Sequence, residues 1–283
     1  MSELGRVGVV GLGTMGTGIA QLCVEAGLET IAYEAQPGRS EEARERIAHF
    51  LARKVEKGQL EPAESDAALA RLHLASALDQ LGPCQLVVEA VFEELPVKRE
   101  VVAALDQVAP DAVVATNTSA LSVAAIAEAS TRPDRVVGMH FFNPAPLMPL
   151  VEVIRARDTS DRAVAAAEGL ARRLGREPIL CADTPGFVVN RILIPLLNDC
   201  VRVLDETGVS PADLDRAMTL GAGWPLGPCA LVDLVGIDVH IHATESLYAE
   251  LGEERFAPPE RLVAMAAAGK LGRKTHEGFF RYD

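Results

Sequence analysis

The sequence lacks any paired cysteine pattern. Its five cysteines, Cys23, Cys84, Cys181, Cys200 and Cys229, are odd in number and scattered, and none stands in Cys-x-x-Cys spacing. That excludes a disulfide framework and a zinc site of the usual spacing, and no other metal-ligand constellation is present. Positive charge is in deficit: 27 basic against 40 acidic residues give a net charge of −13. Neither nucleic acid nor an anionic membrane is expected as a partner, so any anionic ligand must be met by a local basic patch or by backbone dipoles. No apolar run approaches the roughly 20 residues that span a bilayer. No signal-peptide pattern precedes the first strand, so a cytoplasmic protein is expected. There is no internal repeat and no low-complexity tract.

What remains is a chain of 283 residues, 49% of them hydrophobic, long enough for two domains. Its first motif is a strand-like run, Arg6 to Val10, that ends on Gly11-Leu12-Gly13-Thr14-Met15-Gly16. A helix from Thr17 to Ala26 and a second strand, Glu29 to Tyr33, lead to Glu34, 18 residues beyond Gly16. Glycines at Gly11, Gly13 and Gly16 allow a tight turn and let the backbone, with Met15, approach a pyrophosphate resting on the helix N-terminus. An acid about 20 residues on can accept hydrogen bonds from a ribose 2′-hydroxyl and repels a 2′-phosphate. Strand, turn, helix, strand and acid together predict a dinucleotide site that prefers NAD to NADP. Arg39, close behind, could soften the repulsion or simply be solvated.

Two charged helices, Ser40 to Gly58 and Glu61 to Arg71, read as a helical hairpin inserted between strands. Arg53, Lys54 and Lys57 form a basic cluster there, either a solvated face or a landing place for ligand phosphates. Short apolar runs then recur at 72–74, 86–88 and 113–115, with a helix of Val97 to Val108 between the last two. This alternation predicts a parallel, doubly wound sheet. Ligands lie beyond the strand carboxyl ends of such sheets, which singles out Glu89 to Glu93, Thr116-Asn117-Thr118-Ser119 and His140. Asn117 and Ser119 can hold polar substrate atoms, or cap the next helix.

His140 ends the apolar run 135–139, and Glu152 lies twelve positions later in a second run, 150–153, after a Pro-rich turn. Two strands joined by that turn could set a proton acceptor beside the carboxylate that orients it. A core histidine and a surface glutamate would leave the same pattern. Pro178 to Cys181 reads as the last strand, and the turn residues from Asp183 to Phe187 mark a boundary. The expected division is 1–183 and 184–283. The second part is all helical, beginning with a long helix from Val188 to Glu206 that carries Asn190 and Pro195. So many apolar helix faces in about 100 residues would gain from packing on a second copy.

Taken together, these motifs resemble the short-chain L-3-hydroxyacyl-CoA dehydrogenases, including bacterial 3-hydroxybutyryl-CoA dehydrogenases, over essentially the whole chain. The carriers are Gly11 to Gly16, Val88 to Glu93, Asn117-Thr118-Ser119, His140 to Pro144, Leu150 to Val153, Asp183 to Arg191, Leu220 to Gly223 and Gly278-Phe279-Phe280. The resemblance implies a Rossmann-type α/β domain with a helical insertion and a smaller all-α domain. It implies NAD as cofactor, an acyl-CoA substrate and a homodimer formed through the C-terminal helices. His140 would be the catalytic histidine and Glu152 its partner, with Ser119 and Asn190 binding substrate around the reacting oxygens. Glu93 and Lys98 would line the nicotinamide and ribose side of the cleft, near Asn117, and Lys54 and Lys57 would receive the CoA nucleotide. Two departures stand out. Glu34 replaces the usual aspartate, and His276 stands where the family has glycine after Lys274-Thr275; if that position needs positive φ, histidine strains the last loop.

Overall fold

The computed structural model describes residues 4–283. The chain divides into two compact units, the first ending at Thr184 and the second running Pro185–Asp283, one residue later than the expected boundary.

The first unit is built on eight strands: β1 (Arg6–Val10), β2 (Glu29–Tyr33), β3 (Leu72–Ala75), β4 (Leu86–Glu89), β5 (Val113–Thr116), β6 (Val136–Phe141), β7 (Leu150–Arg155) and β8 (Glu177–Ala182). They form one sheet in the order β3-β2-β1-β4-β5-β6-β7-β8. Every neighbouring pair is parallel except β6 and β7, which the short Pro-rich turn joins antiparallel. The sheet is therefore mixed, a parallel sheet extended by one reversal. β4, β5 and β6 are buried along their whole length, as expected of central strands covered on both faces, and their sequences are nearly continuous apolar runs.

Helices α1 (Thr14–Glu25), α2 (Arg39–Glu56), α3 (Pro62–Ala70), α4 (Leu95–Val108), α5 (Val123–Ala127) and α6 (Asp161–Arg173) complete the unit. α2 and α3 are the inserted hairpin. α2 buries only Ala43, Ile47 and Leu51, a four-residue spacing that puts one narrow stripe inward and leaves the charged majority to solvent. α6 occupies the stretch between β7 and β8 that the sequence leaves unassigned. Ser160 caps it by accepting from the Ala163 N–H, and Ala163, Val164, Ala167, Leu170 and Ala171 form its buried face. One core joins Val7, Val9, Val88, Ala115, Val137 and Met139 of the sheet to Ile19, Leu22 and Leu170 of the helices.

The second unit is helical: α7 (Val189–Thr207, with Pro195 inside it), α8 (Pro211–Arg216), α9 (Pro228–Val235), α10 (Ile237–Leu251) and α11 (Glu260–Ala267). α8 runs on into a wider π-helical turn over Ala217–Gly221. Leu197, Val201, Val232, Ile237 and Leu262 centre its core. Buried Asp233 anchors the C-terminal tail, accepting from the N–H groups of Phe279 and Phe280 at 2.9 and 3.0 Å and from the Tyr282 hydroxyl at 2.9 Å. His276 does adopt positive φ, +59°, the strained conformation foreseen for it. Among the described residues no helix is long and apolar enough to cross a membrane.

Candidate active site

The glycine-rich turn leaves β1 with Gly11 at φ +87°, a conformation that a side chain disfavours. Gly16 is required by contact: a Cβ there would lie 1.7 Å from the Gly11 carbonyl oxygen. α1 starts three residues before its expected start and sets its first turn directly on Gly13, its N-cap. Space beside Gly13 is open, with nothing within 4 Å of a Cβ built on it. Open room at a helix N-terminus, lined by backbone, suits a pyrophosphate, so the turn fits the dinucleotide that its pattern predicts. Glu34 closes β2 and reaches back to this turn. Its Oε2 accepts from the Leu12 N–H at 2.8 Å and its Oε1 from the Gln36 N–H at 2.9 Å. Each carboxylate oxygen has two lone pairs, so acceptor capacity remains for ribose hydroxyls.

His140 and Glu152 are directly opposite one another on β6 and β7. The imidazole Nδ1 stands 2.7 Å from Glu152 Oε2, with His140 5% and Glu152 0% exposed. Antiparallel pairing turns opposed residues to the same side of the sheet, which is why a spacing of twelve through a turn brings them together. A carboxylate at Nδ1 fixes the proton on that nitrogen and leaves Nε2 as the proton-exchanging atom. The Phe142 ring lies 4.4 Å from the imidazole, tilted by 46°.

A second charged cluster gathers at the ends of β4 and β5. Lys98, on α4, is fully buried and donates to Glu89 Oε1 at 2.9 Å and to the Asn117 carbonyl at 2.9 Å; Glu93 Oε2 lies 3.4 Å away. Glu89 also accepts from the Thr116 hydroxyl at 2.6 Å and the Val91 N–H at 2.8 Å. Burial raises its pKa above the ordinary carboxylate range, outweighing Lys98 and these donors. For Glu93 burial also pulls upward, but Lys98, the Thr118 hydroxyl and the Ser119 and Ala120 N–H groups prevail and hold it low. Glu93 thus stays anionic and clamps the turn 118–120, accepting from Thr118 Oγ1 at 2.6 Å and from the Ser119 N–H at 2.7 Å. Asn117 Oδ1 in turn accepts from the Phe141 N–H at 3.1 Å, tying this turn to the strand of His140. Neither Asn117 nor Ser119 caps α5; Ser122 does, accepting from the Ala125 N–H, with Asp183 taking the Val123 and Ala124 N–H groups.

The first unit therefore brings together Ser119, Asn117, Glu93, Lys98, His140 and Glu152. Asn190 lies in the first turn of α7, in the second unit. Lys54 is held by Glu25 on α1, its ammonium 2.7 and 2.8 Å from the two carboxylate oxygens, whereas Lys57 is exposed at the end of α2. Sequence reasoning places Glu89 only among the residues at the ligand-binding ends of the strands, whereas it is a buried, paired charge, for which a glutamate closing an otherwise apolar strand is the signal.

A doubly wound sheet opened by a glycine-rich turn is the fold of the dinucleotide-dependent oxidoreductases. Within that class the chain belongs to the 3-hydroxyacyl-CoA dehydrogenase family: residues 6–184 match its NAD binding domain and residues 186–282 its C-terminal domain. A 3-hydroxybutyryl-CoA dehydrogenase of Mycobacterium tuberculosis is 41% identical over 280 residues, covering 98% of each chain. The mitochondrial hydroxyacyl-coenzyme A dehydrogenase of Sus scrofa is 36% identical over 286 residues, 98% of this chain and 91% of that one. The crystal structure of (S)-3-hydroxybutyryl-CoA dehydrogenase from Ralstonia eutropha superposes with a TM-score of 0.96 at 39% identity, covering 99% of this chain and 100% of the other.

Proposed function

We propose that this protein interconverts an L-3-hydroxyacyl-CoA, such as 3-hydroxybutyryl-CoA, and the 3-ketoacyl-CoA, with His140 and Glu152 as its acid–base pair. The observation that carries the reading is the buried 2.7 Å contact between His140 Nδ1 and Glu152. Bound NAD supplies the acceptor for the hydride that leaves C3. His140 Nε2 takes the proton of the C3 hydroxyl, so the alcohol loses one hydride and one proton and becomes a ketone. Imidazolium develops during that transfer, and the Glu152 carboxylate stabilises it where water cannot. In the reducing direction the same nitrogen returns the proton.

Ser119 and Asn190 bind the substrate around its reacting oxygens. Glu93 and Asn117 line the nicotinamide and ribose side, with Glu93 holding Ser119 in place; Lys98, expected there as well, is fully buried and acts from beneath by holding Glu93 and the Asn117 carbonyl. Gly11, Gly13, Met15 and Gly16 receive the pyrophosphate, and Glu34 the adenosine ribose. Lys54 and Lys57 receive the CoA nucleotide; since Glu25 already engages Lys54, Lys57 carries the larger share of the attraction. The first unit is then the cofactor domain and the second a substrate and dimerisation domain. Exposed Ile192, Leu220, Leu234 and Val239 give the helices of the second unit apolar surface for a second copy, in a cytoplasmic homodimer.

The experiment is NADH consumption with acetoacetyl-CoA, with free acetoacetate and NADPH as controls. Turnover confined to the thioester and NADH is the expected result. Activity on the free acid alone would reject the acyl-CoA substrate, and NADPH preference would reject the role given to Glu34.

A further inference from the structure

The glycine-rich turn is gripped from outside by two side chains of opposite charge, Glu34 and Arg46. Between Gly11 and Gly13, Leu12 donates its N–H to Glu34. Its carbonyl accepts from the Thr17 hydroxyl at 2.9 Å and from Arg46 Nη2 at 3.1 Å. The same Nη2 donates to Thr17 Oγ1 at 3.1 Å, so guanidinium, hydroxyl and carbonyl close a triangle. Arg46 comes from α2, in the inserted hairpin, 34 residues beyond Leu12.

A trans peptide is planar, and its C=O and N–H point in opposite directions. Holding the Leu12 carbonyl toward Arg46 therefore turns the Gly13 N–H the other way. Gly13 is the N-cap of α1, where the partial positive charge of the helix gathers, and the space beside it is open. The preceding peptide is fixed in the same manner, since Glu34 takes the Leu12 N–H and the Gly11 carbonyl faces Gly16. Two successive peptide planes are thus set by side chains before any ligand arrives. An exposed arginine on a helix reads as a solvated charge; this one ends on the backbone of the cofactor turn.

We propose that Arg46 is a positioning residue for the cofactor: it locks the Leu12–Gly13 peptide so that the Gly13 N–H meets the pyrophosphate, and it places a cation behind that turn. The proposal rests on the reading of the turn as the NAD site. It gives the helical hairpin a part in cofactor binding as well as the part assigned to its lysines.

The test is NADH affinity by fluorescence titration for wild type, Arg46→Met, Arg46→Lys and Thr17→Val, with the Gly13 amide followed by NMR. Arg46→Met is expected to weaken NADH about tenfold, the scale of a lost charge-assisted hydrogen bond, with the loss falling on KM for NADH and not on kcat. Arg46→Lys should restore most of the affinity, and Thr17→Val should lose part of it. The Gly13 amide resonance should shift in Arg46→Met while those of β5 stay in place. Unchanged NADH affinity in Arg46→Met would overturn the proposal, as would a loss shared equally by kcat and thermal stability. Wild-type protein that failed to bind NADH would overturn the cofactor reading itself, and this proposal with it.

Discussion

Each unit buries one histidine against a side-chain oxygen. His140 is 5% exposed with Nδ1 2.7 Å from the Glu152 carboxylate; His240, on α10, is 3% exposed with Nε2 2.9 Å from Asn198 Oδ1 on α7. The amide oxygen accepts a hydrogen bond but brings no charge. Burial accordingly pulls His240 down from 6.5 to about 4, and it stays neutral near pH 7, a donor that ties α10 to α7. The carboxylate offers an imidazolium a full counter-charge at contact distance. Burial against an amide gives a histidine that holds structure; burial against a carboxylate gives the arrangement that the acid–base role proposed for His140 requires.

The contrast is sharpest in the rate of the chemistry. His140→Ala should lower kcat by about 10²–10⁴-fold, while His240→Gln should leave turnover by the folded protein within about twofold. Equal losses in both would break the comparison, and steady-state kinetics at saturating NADH decides. Next comes Glu152→Gln, which leaves His140 facing an amide oxygen as His240 does. A loss of about 10²–10³-fold in kcat is expected, with the NADH dissociation constant unchanged. A kinetically silent variant would remove the carboxylate from the mechanism.

Acid should single out the other histidine. The folded His240 holds its proton only below about 4, whereas the unfolded chain takes one up near 6.5. Between those values the unfolded state binds more protons, so stability is complete above about 6.5 and falls as the pH drops toward 4. The shift corresponds to about 3 kcal/mol in all. Thermal unfolding midpoints across this window should show a steep acid limb that flattens in His240→Gln. The smallest effect belongs to a third histidine, His276, whose φ of +59° suits glycine better. His276→Gly should stabilise the protein by up to about 1 kcal/mol without touching turnover; a lower unfolding midpoint would show that the imidazole makes a useful contact there.

Much of this architecture is legible in the sequence because it rests on local chemistry. Apolar runs mark the central strands, and the glycines from Gly11 to Gly16 mark the turn that positive φ and close contact demand. Even the His140–Glu152 pair can be anticipated, since a turn between two runs is a short-range feature. Charges are harder. Lys98 reads as a residue beside the cofactor, yet it lies wholly buried between Glu89 and Glu93, because the topology converges α4 and the ends of β4 and β5 on one point. Lys54 reads as part of a phosphate-binding cluster, and only the packing of α2 on α1 reveals Glu25 against it. Arg46 and the His240–Asn198 contact, the latter 42 residues apart in sequence, are hidden for the same reason. Periodicity says which face of a helix is wet, not what a long side chain on that face can reach.

The antiparallel ladder between β6 and β7 has a consequence for how such a chain can change. His140 and Glu152 form one of its rungs, so their separation is set by backbone pairing and is independent of the turn that connects them. That turn, 142–149, carries exposed Leu147 and Met148, and these outer positions can change while the rung stays closed. A single deletion inside β7 does the opposite, sending Glu152 to the far face of the sheet. The spacing of the pair is thereby insulated from change at the exposed positions of the turn.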